Sequence, residues 1–292
     1  MKIAILLTTY NRKNTTMNCI NSIYEQDLIQ FGYYVDIYIT DDNSEDGTFE
    51  EIKKNYPEIY IYRSKGNLYW GRGMLYSWQK AIERDRYDAF IWVNDDNIFF
   101  KNAFVELFDC AKKTQWNSII CGCFKSKENK FTYGGYDKNH KPIYPNGYLQ
   151  SITYMNGNFV LIPQSIVDRI GLLDWHFHHI GGDFDYGITA QKHAFTIYST
   201  TCYIGISERN PKGDNRGRNL GRSLKERFYD LYNCPFIENP QQKWYENRKH
   251  GRSFIRCILI FIKMHLITIL PDSFYDKIRQ INKYRNESFK EK

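Results

Sequence analysis

The sequence has no Cys-x-x-Cys pair, and its seven cysteines are odd in number. That pattern points to reduced thiols in a cytosol rather than to a disulfide framework. From Met1 the chain reaches Thr8 after too few apolar residues for the ~7–15-residue core of a signal peptide, so no export is expected. No apolar run approaches the ~20 residues of a spanning helix. The nearest, Phe254–Leu270, is interrupted by Arg256, Lys263, His265 and Thr268. Gly71-Arg72-Gly73 is followed by neither Gly-Lys-Ser/Thr nor a third glycine, which removes the Walker ATPase and dinucleotide-binding readings. His176, His178 and His179 have no second His/Cys group at ligand spacing and no His-Glu-x-x-His, which disfavours structural zinc. Internal repeats and low-complexity runs are absent too.

What is present is a soluble globular composition. The 292 residues are 42% hydrophobic and 25% charged, with a mean hydropathy of −0.59, which excludes a polytopic membrane protein and a mostly disordered chain. The 17% aromatic fraction suits a protein that stacks on sugar rings or bases. The net charge of +7 is unevenly spread: residues 1–208 carry 21 Lys+Arg against 24 Asp+Glu, and 209–292 carry 19 against 9. A nucleic-acid surface would spread basicity over the body, so anionic lipid, an anionic acceptor or simple solubility are the readings for the basic C-terminal third.

Hydrophobic periodicity predicts strands at Ile3–Leu7, Tyr34–Ile39, Ile59–Tyr62, Ala89–Val93 and Phe159–Ile162. Helical spacing falls between them at Thr15–Tyr24, Thr48–Asn55, Met74–Arg84, Phe99–Phe108 and Ser165–Ile170, then at Gly187–Ala194. Asp46 or Ser44 is the candidate cap of the second helix. Strands alternating with helices predict an α/β fold: a Rossmann-like, mostly parallel central sheet flanked by helices, with a helical basic C-terminal extension. Three segments follow: residues 1–100 and 101–207 as two halves of one domain, and 208–292 as the extension. From Glu208 the composition turns to Asn, Gly, Arg and Lys, which reads as a mobile basic loop or a boundary.

In open α/β sheets ligands bind outside the carboxyl ends of the strands. Three strand ends here carry Thr8-Thr9-Tyr10-Asn11, Asp41-Asp42-Asn43 and Asn94-Asp95-Asp96-Asn97. Carboxylates after a buried strand can hold Mg²⁺ or Mn²⁺ while a diphosphate supplies the remaining ligands. The same residues also serve as ordinary turn and capping groups, and both readings stand. Gly71-Arg72-Gly73, placed before a helix, could admit a phosphate beside Arg72. Asp183 and Asp185 follow two glycines; Asp183 either caps the next helix or faces the cleft as a general base.

Taken in order, these motifs resemble inverting family 2 glycosyltransferases of the GT-A fold, in particular bacterial polysaccharide and rhamnosyltransferase-like members. The matching segments are Thr8–Arg12, Thr40–Thr48, Gly66–Trp70 with Gly71-Arg72-Gly73, Asn94-Asp95-Asp96 as the Asp-x-Asp-like element, and Gly182–Gly187. Met155–Pro163 and Gly171–Asp174 resemble the acceptor-side half, so the similarity covers about residues 1–207. The resemblance implies transfer of one sugar from a nucleotide-diphosphate sugar to a hydroxyl of a saccharide or lipid-linked acceptor, with inversion, in cell-surface polysaccharide or glycan biosynthesis. It implies donor contacts at Thr8, Tyr10, Arg12, Asp42, Asn67, Gly71, Arg72 and Asp95, a Mn²⁺ or Mg²⁺ ion on Asp96, and Asp183 as base. Acceptor contacts would fall at Trp70, Asn156, Gly157, His179 and Asp185. Tyr69, Tyr133 and Trp175 are further aromatics for sugar subsites, each equally a core residue.

Two departures matter. Asn94 replaces the first Asp of the metal element, and Gly182-Asp183 replaces the acidic pair before the acceptor helix. The Gln-x-x-Arg-Trp element and the membrane spans of processive synthases are missing, so transfer is expected to be non-processive. A nucleotidyltransferase and a non-catalytic carbohydrate-binding protein on the same fold are the rivals. No nucleic-acid partner is expected, and the expected location is cytoplasmic, peripheral on the inner face of the plasma membrane.

Overall fold

The computed structural model describes residues 1–26, 28, 32–209 and 218–288, the side chains of 281–288 excepted. Its strands are β1 (Lys2–Thr9), β2 (Tyr34–Asp41), β3 (Tyr60–Arg63), β4 (Ala89–Asn94), β5 (Ile98–Phe99), β6 (Ser118–Lys125), β7 (Phe131–Tyr133), β8 (Gly135–Tyr136), β9 (Gln150–Ile152), β10 (Tyr154–Met155), β11 (Phe159–Pro163) and β12 (Thr196–Ile206). Its helices are α1 (Lys13–Tyr24), α2 (Thr48–Asn55), α3 (Tyr69–Arg84), α4 (Ala103–Lys113), α5 (Gln164–Ile170), α6 (Gly182–Lys192), α7 (Leu224–Asn233), α8 (Pro240–Lys249), α9 (Phe254–Ile269) and α10 (Asp272–Ser288). The chain forms two compact units, Met1–Arg209 and Asn210–Lys292.

The first unit is built on a sheet of order β3-β2-β1-β4-β11-β6-β12-β5. Strands β1 to β4 run parallel, β11 runs antiparallel between β4 and β6, and β12 is parallel to β6. This is the mostly parallel α/β sheet expected from the strand–helix alternation. Because both faces are covered, the middles of the central strands are apolar at successive positions rather than at alternate ones. Ile3, Ile5 and Leu7 of β1 join Ile91, Val93, Phe159 and Leu161 in a core shared with Ile20 and Ile23 of α1 and Leu107 of α4. Ala4 and Leu6 point the other way, toward Phe90, Trp92, Val160 and the α3 residues Met74, Leu75 and Trp78.

The chain leaves β1 toward β2 and β3 on one side, then returns to place β4 on the other side of β1. That reversal opens a crevice at the carboxyl ends of β1 and β4, where Thr8 pairs in register with Asn94. Since β11 is antiparallel, its beginning lies at the same edge: Phe159 is opposite Val93, and the Asn94 N–H donates to the Asn158 carbonyl at 2.9 Å.

Several boundaries differ from the sequence reading. Helix α3 starts at Tyr69 rather than Met74, so Gly71-Arg72-Gly73 is the first turn of a helix and not a loop before one. Helix α4 starts at Ala103, and α6 at Gly182 with Gly181 as its N-cap, which puts Asp183 in the first turn. Helix α2 is capped by Gly47 in the left-handed region, not by Asp46 or Ser44. Asp46 instead accepts from the backbone N–H of Lys13 and Thr48, and Ser44 Oγ from that of Asn11. The basic stretch expected as a loop lies, at residues 210–217, outside the described residues. No described helix is long and apolar enough to cross a membrane.

Candidate active site

At the end of β1 the buried Thr9 Oγ1 shares a hydrogen bond of 2.7 Å with Thr16 Oγ1 on α1. Thr16 in turn donates to Asp95 Oδ2 at 3.3 Å. Arg12, the residue before α1, reaches across the crevice mouth to Asp95 Oδ1 at 2.8 Å and Asp96 Oδ2 at 3.2 Å. Asp95 therefore has both oxygens engaged by the protein. Asp96 does not: its Oδ1 is buried without a hydrogen-bond partner. Burial, and then the neighbouring Asp95 charge, push the Asp96 carboxyl up to about 6 against the opposing pull of Arg12.

A buried carboxylate oxygen without a protein partner is one that a divalent cation can take up. Among the described residues no three His, Cys, Asp or Glu side chains gather to hold a metal. The adjacent carboxylates of Asp95 and Asp96, with Asp96 Oδ1 open, fit a hard divalent ion that takes one or two carboxylates from the protein and the rest from a substrate, the binding habit of Mg²⁺.

Asp42 sits elsewhere in the economy of the crevice. Its carboxylate accepts from Ser64 Oγ at 2.7 Å, from the Leu68 N–H at 3.0 Å and from the Tyr69 N–H at 2.9 Å. It satisfies the donors at the start of α3 and anchors the Gly66-Asn67 turn, where Asn67 adopts φ +64. These three donors occupy most of the acceptor sites of its carboxylate. Asp41, completely buried, keeps one unpartnered oxygen, Oδ2. Tyr10, 56% exposed, stands at the rim.

The start of α3 meets the segment before α6. The Gly71 N–H donates to the His178 carbonyl at 2.9 Å, and a Cβ on Gly71 would lie 2.3 Å from the Phe177 carbonyl oxygen. Gly71 is thus required for helix–loop contact. Arg72 Nε donates to the Trp175 carbonyl at 3.0 Å, and its guanidinium lies 4.6 Å from the Trp175 ring centroid. His178 Nε2 is 2.6 Å from the Asn67 carbonyl, and its burial lowers the affinity of the ring for a second proton. The Trp70 N–H faces His179 Nδ1 at 3.4 Å.

Trp70 links the two sides of the crevice. Its Nε1–H donates to Asn94 Oδ1 at 2.7 Å, which gives the side chain at the first position of the acidic element a neutral acceptor role. A Cβ on Gly157 would fall 2.3 Å from Trp70 Cζ2, so only glycine lets that ring lie against the backbone there. The Gly157 N–H donates to Asp183 Oδ2 at 2.9 Å, and Asp183 Oδ1 accepts from the Phe184 N–H at 2.9 Å. Asp183 is thereby aimed by its own helix N-terminus and by the turn that leads into β11. Asp185 is buried, and Asn156 Oδ1 faces the Gly134 N–H at 3.4 Å.

The structure brings together Arg12, Asp95 and Asp96 as one cluster, and Trp70, Asn94, Gly157 and Asp183 as a second joined to it through β4. Thr16 was not singled out by the sequence; it is a short polar residue whose bond to Asp95 spans 79 positions of the chain, so no local pattern marks it.

These groups meet in one crevice at the switch point of the α/β sheet, with an acidic cluster on one side and a backbone-held aspartate on the other, the setting of a group-transfer enzyme. The profile of "Glycosyl transferase family 2" matches residues 4–171, and the chain belongs to that family. A search of curated proteins finds no match. Among solved structures the chain is similar to S. aureus TarS (TM-score 0.51, 13% identity, covering 88% of this chain and 45% of that one). It is also similar to S. aureus TarS 1–349 (TM-score 0.53, 11% identity, 92% and 81%). A third is GalNAc-T7 with UDP, GalNAc and Mn²⁺ (TM-score 0.56, 12% identity, 88% and 56%). The chain spans 45% of the first of these and 56% of the third, and at such identities the likeness is one of fold.

Proposed function

We propose that this family 2 glycosyltransferase moves a single sugar, with inversion, from a nucleoside-diphosphate sugar to a hydroxyl of a saccharide or lipid-linked saccharide acceptor in cell-surface glycan assembly. Residues 1–100 form the donor half and 101–207 the acceptor half of the transferase unit. The observation that carries this reading is the pairing of the half-engaged Asp96 with the backbone-held Asp183 across Trp70 and Asn94.

In the proposed reaction Asp183 takes the proton of the acceptor hydroxyl, whose oxygen bonds to the anomeric carbon as the bond to the diphosphate breaks, inverting that centre. Two N–H donors fix the Asp183 carboxylate before substrate arrives, so little reorientation is needed. Asp96, with Asp95 beside it, would hold Mn²⁺ or Mg²⁺, which when bound supplies positive charge for the departing diphosphate. Arg12 is placed to exchange a carboxylate for a phosphate oxygen. Thr8, Tyr10, Asn67 and the first turn of α3 border the nucleotide, with Asp42 supporting that turn. Trp70, Asn156, His179 and Asp185 border the acceptor. The protein works in the cytoplasm, and its C-terminal unit meets the inner leaflet.

Melting of the purified protein with UDP, dTDP, GDP and CDP, each with Mn²⁺ or EDTA, tests this reading. A ligand at 100 times its dissociation constant stabilises by about 2.7 kcal/mol. One nucleotide should raise the melting temperature in Mn²⁺ and much less in EDTA. No shift with any nucleotide overturns donor binding.

A further inference from the structure

Helix α9 is the most apolar helix of the C-terminal unit, yet its greasiest face is not the one that packs. Cys257 and Thr268 are buried, Phe261 lies against His265 and Trp244, and His265 bonds Tyr232 Oη at 2.7 Å. Those residues hold α9 on α7 and α8. The opposite side presents Ile255, Leu259, Ile262, Leu266 and Ile269, with Ile258 at the edge, between 36% and 71% exposed. Their spacing of three and four residues places them on one stripe running the length of a 16-residue helix, about 24 Å at about 1.5 Å per residue.

Arg256 and Lys263, seven residues apart and both exposed, border this stripe on one side, and α9 contains no acidic residue. The corner after α9 is fixed rather than loose. The buried Arg218 guanidinium donates to the carbonyls of Ile267, Thr268 and Leu270 and pairs with Asp272, and Arg227 Nη1 reaches the Leu270 carbonyl at 2.9 Å. Beyond that corner α10 again exposes Phe274 and Ile278, with Lys277 and Arg279 beside them.

We propose that α9 lies flat in an anionic bilayer surface, its Ile255–Ile269 stripe among the acyl chains and Arg256 and Lys263 on lipid phosphates. This rests on the reading of the acceptor as lipid-linked for its purpose, though not for its geometry. A continuous apolar stripe edged by cations, on a helix too short to span, is the pattern of an interfacial helix. Charge selects lipid over a second copy of the chain. Residues 209–292 carry 19 basic against 9 acidic side chains, so two such faces would meet with like charge, whereas an anionic leaflet complements them.

The test is flotation of the full-length protein with vesicles of phosphatidylcholine alone or mixed with phosphatidylglycerol. Wild type should float with the anionic vesicles at low salt and remain behind with the neutral ones. Leu259→Gln with Leu266→Gln should reduce partitioning at least roughly tenfold, since insertion scales with buried apolar area. Arg256→Gln with Lys263→Gln should weaken binding and flatten its salt dependence. All three proteins should keep the same melting temperature and nucleotide-induced shift, because the changed side chains are exposed and lie outside the transferase unit. Absence of vesicle binding, or binding indifferent to both pairs of changes, overturns the proposal. So does a wild-type dimer that Leu259→Gln with Leu266→Gln turns into a monomer. The nucleotide shift is read on the same samples, so failure of the membrane dock is separable from failure of the transferase reading.

Discussion

Arg12 and Asp96 face each other across the crevice mouth at 3.2 Å, with Asp95 sharing the same guanidinium nitrogen at 2.8 Å. One cation therefore offsets two adjacent carboxylates while leaving Asp96 Oδ1 unmatched. Charge-assisted hydrogen bonds of this kind are worth about 1.5–3 kcal/mol, enough to matter for both the resting site and its ligand.

Arg12→Gln should lower nucleotide affinity by about tenfold or more, with a smaller fall in the melting temperature of the ligand-free protein, because Arg12 is 41% exposed and solvent screens part of its effect. Calorimetric titration with the nucleotide that shifts wild type is the measurement. Unchanged affinity would remove Arg12 from the donor site.

Asp183→Asn preserves an oxygen that can accept from the Gly157 N–H but cannot take up a proton at neutral pH. Sugar transfer should fall by roughly 10²–10⁴, while nucleotide affinity stays within about threefold, since the proposed reaction puts Asp183 on the acceptor side. Retained turnover would sink the assignment of the base.

Gly157→Ala should destabilise the protein by about 1–3 kcal/mol, the usual effect of forcing an extra methyl into a packed contact. The added carbon would meet Trp70 Cζ2. Trp70→Leu removes that obstacle at the cost of the bond to Asn94. The double variant should therefore be more stable than the two single losses combined predict, and denaturant unfolding of all four proteins measures the coupling. Additive losses would mean that Gly157 and Trp70 do not constrain each other.

Asp96 gives the ligand-free protein a pH signature. Its carboxyl is raised from 3.8 to about 6, chiefly by burial, so the folded state holds a proton that the unfolded chain has released. The resulting contribution is most favourable below 3.8 and is lost as pH rises through about 6. In EDTA, Asp96→Asn should match wild type in acid and become the more stable protein above that range. The gain should be on the order of 1–3 kcal/mol, one pKa step being about 1.4 kcal/mol. A difference between the two proteins that does not change with pH would contradict the raised value.

The sequence by itself determined the alternation of strands and helices and the acids at the strand ends. Apolar runs such as Ala89–Val93 are local signals of a strand buried on both faces, and an abrupt change to Asn94-Asp95-Asp96 marks where it emerges. Strand β12 went unread because its Thr, Ser and Tyr residues break the apolar pattern, and pairing with β6 and β9 is what makes it a strand. The first turn of α3 was hidden in the same way. Glycine is a poor helix former, and Gly71 is helical because the Phe177 carbonyl packs where a side chain would be.

Only the tertiary structure decided the partners. That Asp42 supports Ser64, Leu68 and Tyr69, that Arg12 neutralises residues more than eighty positions away, and that Trp70 holds Asn94 while lying against Gly157 depend on crossovers that bring separate strand ends to one edge. The spacing of acids along a chain is a local property. Which of their oxygens is filled and which is left open is set by packing, and the one left open on Asp96 is where the chemistry of this site is expected to begin.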